Sequence, residues 1–301
     1  MSTFPPRECG IATFTKDLVD SMDKKFNPAL KSEVLAINDN GSSIYNYNGK
    51  VNFQLDQTDM EGYLSVAEEI NKRRDIKIVN IQHEFGIFGG NQGDNLLPFL
   101  EKVRKPVVIT FHSLVPNPDE YRKRIVSHIF RKASAVVVMA KNSIRILDKD
   151  YEIHSSKKVF FVPHGVPQVL FNPKNSKEKV HLGGRIILST FGLMNKGKGV
   201  EYVINALPSI VKKFPKIIYL IIGETHPQVR KIEGESYRNS LINLVEELGL
   251  EDNVRFCNRY LTIEEIIDYL NATDIYISPS LDENQIVSGT LSYALGCGKA
   301  I

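Results

Sequence analysis

Gly192-Leu-Met-Asn-Lys-Gly-Lys-Gly199 is the stretch on which the fold and chemistry of this chain turn. It follows a short apolar run, Ile186 to Leu188, and precedes helical spacing at Val200, Val203, Ile204, Leu207, Ile210 and Val211. A strand, a glycine loop and a helix in that order can hold an anion. The glycines let backbone N–H groups crowd the ligand, the helix start adds partial positive charge, and Lys198 adds a full one. A phosphate or diphosphate is the expected ligand. The first seven positions also fit G-x-x-x-x-G-K, which makes a nucleotide-hydrolysing P-loop the competing reading. The eighth position decides against it: Gly199 stands where a Ser or Thr hydroxyl would hold Mg²⁺, and no acidic strand end completes such a site. The plain alternative is a glycine-rich turn with a solvated lysine.

Working outward, similar β-branched runs recur at Ile76 to Ile81, Val107 to Phe111, Ala135 to Val138, Val159 to Val162, Ile217 to Ile222 and Asp274 to Ile277. Continuous apolar runs suit parallel strands covered on both faces. Between them lie helices, such as Leu241, Leu244, Val245 and Leu248 with Gly249 as stop, or the capping box Thr262 and Glu265 before Ile263, Ile266, Ile267 and Leu270. The alternation predicts an α/β fold. In 301 residues it predicts two Rossmann-like lobes, 1–172 and 185–301, joined by a polar linker over 173–184. Both ends read as cut: Met1 to Phe4 is short for a first strand, and Gly298-Lys-Ala-Ile301 leads towards a new one, so the second lobe is expected to be incomplete.

With 38 basic and 35 acidic residues, the net charge of +3 gives no field that argues for nucleic acid. Cys9, Cys257 and Cys297 form no paired framework, which fits a reducing compartment and predicts a cytoplasmic protein. No apolar run approaches the roughly 18 residues of a membrane span. Arg122-Lys-Arg124 with Arg131-Lys132 suits a solvated helix face, or peripheral contact with anionic lipid at the inner membrane face. The oligomeric state is not legible.

Further candidates sit at helix starts and strand ends. Ser288-Gly289-Thr290 opens a short helix whose first N–H groups suit a second phosphate. Gly10-Ile11 forms a turn into a helix with Ile11, Phe14, Leu18 and Met22 inward, and Gly10 permits close approach of a substrate. His83, followed by Glu84, and His112 end strands, where open α/β sheets place their sites; His164 ranks behind them as a backbone-satisfied histidine. No pair of histidines has metal-ligand spacing, and Asp148-Lys-Asp150 closes a helix, so no metal is expected.

The chain resembles the retaining glycosyltransferase family 4, with the fold called GT-B. The resemblance rests on Gly10-Ile11, His112, Val162-Pro-His-Gly-Val166, the Gly192 to Gly199 loop, Ile222-Gly223, Asn253-Val-Arg-Phe256, Ser278-Pro-Ser280 and Leu295-Gly-Cys-Gly-Lys299. It implies two lobes facing a cleft, a nucleoside diphosphate sugar as donor substrate in the second lobe, a sugar or glycoconjugate acceptor in the first, and no cofactor or metal. Carried over by position, Lys198 would neutralise the diphosphate, with Gly192 and Lys196 beside it. The Gly289 and Thr290 amides with Ser288 would bind the distal phosphate, and His112 would contact the donor sugar. Gly10, Ile11, His83 and Glu84 would face the acceptor. With no protein nucleophile required, charge stabilisation on the leaving group becomes the main catalytic contribution. Leu193 replaces the family's usual arginine, leaving Lys196 as the substitute cation, and Gln285 and Tyr293 replace its paired glutamates. These departures admit a sugar-nucleotide hydrolase or epimerase, or an inactive nucleotide-sugar-binding subunit, beside a hexosyltransferase.

Overall fold

The apolar runs pair as parallel strands in two separate units. The structure, a computed structural model, describes residues 1–39, 45–47, 49–154, 156–166 and 173–301. One unit comprises Met1–Gly165 and Asn284–Val287, the other Val166–Glu283 and Ser288–Ile301.

In the first unit β1 (Val34–Asn38) pairs with β2 (Val51–Asp56). A parallel sheet follows in the order β3 (Val79–His83), β4 (Val107–Phe111), β5 (Ala135–Val138) and β6 (Val159–Phe161). Met1 and Ser2 fill the place between β1 and β3. The Ser2 amide donates to Leu35 at 3.0 Å and its carbonyl accepts from Ile37 at 2.8 Å, while the Met1 carbonyl accepts from Gln82 at 3.2 Å. The segment read as too short for a strand therefore completes the backbone ladder.

The helices of this unit are α1 (Gly10–Phe26), α2 (Met60–Lys72), α3 (Leu96–Lys102), α4 (Glu120–Lys132) and α5 (Lys141–Lys149). Asp59 and Asp119 start α2 and α4 by accepting the Gly62 and Arg122 amides, as N-caps do. In α1 the fully buried residues are Ala12 and Thr15; of the expected inward residues Ile11 packs against the core, while Met22 is exposed, which corrects that end of the face. Small residues let the helix approach Ser2, to which the Thr15 hydroxyl donates at 2.9 Å.

The second unit has the parallel order β10 (Ile275–Tyr276), β7 (Ile186–Phe191), β8 (Ile217–Ile222), β9 (Val254–Cys257). All six residues of β8 are buried, and they alternate between two cores. Ile218, Leu220 and Ile222 join one; Ile217, Tyr219 and Ile221 join the other. Its helices are α6 (Pro173–Lys179), α7 (Val200–Val211), α8 (Pro227–Glu233), α9 (Ser236–Glu247), α10 (Ile263–Ala272) and α11 (Gly289–Gly296).

Residues 173–184, read as a linker, instead contain α6. Lys177 pairs with Asp274 at 2.6 Å, Lys179 pairs with Asp268 on α10 at 2.8 Å, and Leu182 enters the core, so the segment belongs to the second unit. The expected lobe end at 172 lies outside the described residues.

Candidate functional site

At the C-terminal edge of the second unit's sheet, three segments meet at Gly192. Its amide donates to the Ile222 carbonyl at 2.9 Å, and its φ is 136°. A Cβ placed there would sit 3.2 Å from Thr290 Cγ2 and 3.3 Å from Lys198 Nζ. The loop after β7, the 3-10 turn Lys196–Lys198 and the start of α11 therefore share one spot. Gly223, at φ 120°, lies so close to the Gly192 carbonyl that any side chain would overlap it. The two glycines let the ends of β7 and β8 close together. Gly199, at φ 63°, starts α7, and a Cβ there would overlap the Pro279 carbonyl. Glycine at the eighth loop position is thus a backbone requirement.

Lys198 is half-buried, and among the described residues no acid pairs with it. Burial pushes its ammonium below the ordinary lysine value. A cation partly withdrawn from water, with no counter-ion among the described residues, favours the arrival of an anion. Beside it, the Ser288 hydroxyl accepts the Leu291 amide at 3.3 Å, and the Gly289 and Thr290 amides occupy the first positions of α11, where helix N–H groups have no intrahelical acceptor.

Other expected donor contacts lie elsewhere. Lys196 is exposed and pairs with Glu233 on α8 at 3.5 Å, so the structure does not bring it to the Gly192 group. Tyr293 stacks on Phe191, with ring centroids 6.3 Å apart and planes at 8°, inside the core; α11 turns this position towards the sheet. Gln285 lies in the segment 284–287, which groups with the first unit, and the neighbouring Ile286 packs against that unit's core.

Two groups near the loop escaped the sequence reading. His226 precedes Pro227 at the start of α8, and its Nδ1 accepts the Gln228 amide at 3.2 Å. Arg238 is buried in the first turn of α9; its Nη2 donates to the Gly223 carbonyl at 2.7 Å and its Nε lies 3.4 Å from Glu235. The His-Pro pair at a helix start and a basic residue at a buried helical position were the available signals.

In the first unit His112 directly follows β4, with Nε2 2.9 Å from Gln82 Oε1. The amide oxygen only accepts, so Nε2 carries the proton and Nδ1 keeps a lone pair. Burial, with the nearby His164 second, lowers the His112 pKa to about 3, so the ring is neutral. Phe14 packs edge-on against both His112 at 4.7 Å and His164 at 5.1 Å. Glu84 accepts the Ser113 hydroxyl at 2.9 Å and the Phe85 amide at 3.0 Å, and burial raises its carboxyl pKa.

His83 is a correction. It is fully buried among Phe85, Phe88 and Phe111, neither ring nitrogen has a hydrogen-bond partner among the described residues, and burial lowers its pKa to about 3. The strand continues past Ile81 to His83, and the His83 side chain is buried as packing. Ile11 packs against the core, while Gly10 is exposed with open space where a Cβ would lie.

Asp148 pairs with His154 at 2.9 Å and Asp150 caps α5. Among the described residues no three His, Cys, Asp or Glu side chains gather in a metal-ligating group, and no helix is long and apolar enough to cross a membrane. In the basic run of α4, Lys123 pairs with Glu152 at 3.2 Å, Lys132 with Glu101 at 2.5 Å, and Arg122 donates to Gln92 at 2.8 Å.

Comparison with known proteins supplies context for this geometry. Residues 171–285 match the family described as Glycosyl transferases group 1. An uncharacterized glycosyltransferase of Methanocaldococcus jannaschii, MJ1069, is 28% identical over 184 residues, 60% of this chain and 43% of that protein. Anabaena Alr3699/HepE in complex with UDP and glucose superposes with a TM-score of 0.68 at 13% identity, over 99% of this chain and 78% of that one. A glycosyltransferase from Rickettsia africae ESF-5 gives 0.67 at 17% identity, covering 99% and 76%. The chain spans less than half the length of the archaeal relative. Its parallel sheets and helices are those of the α/β fold known as GT-B.

Proposed function

We propose that the chain is a retaining glycosyltransferase of family 4 type, moving a hexosyl unit from a nucleoside diphosphate sugar to a sugar or glycoconjugate acceptor without a metal. The observation that carries this reading is the half-buried Lys198 ammonium, without a counter-ion among the described residues and next to Gly192 and the start of α11. Such a group, with open helix amides, suits a diphosphate, whose charge grows as the sugar leaves. The similarity to a HepE complex containing UDP-glucose supports a donor of that class.

In this reading the neutral His112 offers polar contact to the donor sugar, and Gln82 fixes its tautomer. Glu84 and the Gly10 turn serve the acceptor, and Gln285 hydrogen-bonds sugar hydroxyls where the resemblance places a glutamate. Tyr293 packs in the core and brings no acidic group, so donor charge rests on Lys198 and backbone amides. The test is release of nucleoside diphosphate from UDP-glucose and other common sugar nucleotides in a panel of sugar acceptors. Turnover that falls about 100-fold in Lys198→Ala supports the proposal. Tight donor binding with no transfer or hydrolysis points to the binding subunit, and release to water alone points to the hydrolase.

A further inference from the structure

The resemblance assigns the diphosphate two cations, yet position 193 holds leucine, and Lys196 is turned outward to Glu233. Another polar group lies at the same edge of the sheet. The loop after β8 runs beside the loop after β7: the Met194 amide donates to Glu224 at 2.8 Å, and the His226 amide donates to Met194 at 2.9 Å. His226 is therefore held one backbone bond from the loop that carries Lys198. Its ring is half-buried, and Nδ1 is committed to the Gln228 amide, so the neutral ring carries its proton on Nε2. Burial lowers the ring's pKa, and the Lys198 charge lowers it further.

We propose that His226 is the second side-chain donor to the donor diphosphate, serving with Lys198 in place of an arginine at 193. This deepens the transferase reading and rests on it. Arg238 has a supporting part as a positioning residue, since its bond to the Gly223 carbonyl fixes the strand end on which this loop is hung.

The cap and the proposed contact use different ring nitrogens, so they can be separated. His226→Asn and His226→Asp both keep an acceptor that caps the Gln228 amide, and both lose the distal N–H. They differ by one negative charge. Calorimetry measures binding of UDP, GDP and ADP to the wild-type chain and both variants, with melting temperatures as the control for α8. The proposal expects unchanged melting temperatures, about tenfold weaker binding of the tightest diphosphate in the Asn variant, and at least a further tenfold loss in the Asp variant. Wild-type affinity in the Asn variant, or equal affinity in Asn and Asp, overturns it while leaving the transferase reading intact. Absence of binding to any diphosphate by the wild-type chain overturns that reading, and this proposal with it.

Discussion

A histidine buried among three phenylalanines has a cost that depends on pH. His83 titrates near 3 when folded and near its ordinary 6.5 when exposed. Between those values the unfolded chain binds a proton that the folded chain refuses. Stability is therefore complete above about pH 6.5 and declines towards pH 3, by roughly 1.4 kcal/mol per pH unit for this residue. His112, depressed to about 3 as well, adds to the same acid limb. His83→Leu removes two unpartnered buried nitrogens and the His83 titration. Urea unfolding at pH 7 and pH 5 is expected to show equal or higher stability for the variant, by about 1 kcal/mol at pH 7, and a smaller loss on acidification. An unchanged acid slope contradicts the burial argument. The same residue shows a limit of sequence reading: a histidine after a parallel strand reads as a site residue, and only its aromatic neighbours, brought from other elements, show that it is packing.

Among elements, the glycine loop depends on backbone geometry as much as on charge. Gly199 holds a left-handed φ of 63° with no space between it and the Pro279 carbonyl. Gly199→Ala is expected to destabilise the second unit by about 1 to 3 kcal/mol, read as a shift in the urea midpoint. No shift would show that the loop relaxes freely. The capping box of α10 is complete, with the Thr262 hydroxyl accepting the Glu265 amide at 3.3 Å and the Glu265 carboxylate accepting the Thr262 amide at 2.9 Å. Thr262→Ala should cost about 1 kcal/mol by the same measurement, and a cost near zero would remove the cap from the account. Both elements were legible because their signals are local. Val107–Phe111, Ala135–Val138 and Ile217–Ile222 coincide with their sequence runs because buried parallel strands are largely apolar. β2 was missed because its residues Val51, Phe53 and Leu55 alternate with polar ones, and five of its six positions are only partly buried or exposed. The expected strand from Ile76 starts later, at Val79, because Ile78 is exposed and the ladder runs on through buried Gln82 and His83.

At the scale of the whole chain, two parallel α/β units were legible from the alternation of strand runs and helical spacings. Their division was harder to read. α6 looked like a linker because it is polar and lysine-rich and paired glycines follow it; its anchors, Asp268 and Asp274, come from about 90 residues away. The segment 284–287 belongs with residues far earlier in the chain, a pairing that no local pattern encodes. The proposed anion site was legible where glycine, lysine and a helix start were contiguous. It was illegible at His226, whose relation to Lys198 depends on neighbouring loops at the ends of β7 and β8.

The account stands on one charge meeting one diphosphate, and titration calorimetry of UDP, GDP and ADP against wild type and Lys198→Ala measures that meeting directly. Wild type is expected to bind at least one of them, and the variant to bind it about 30-fold more weakly or worse, the loss of a charge-assisted contact of roughly 2 kcal/mol or more. Equal affinity in the two proteins, with both folded, would contradict the assignment of Lys198 to the diphosphate.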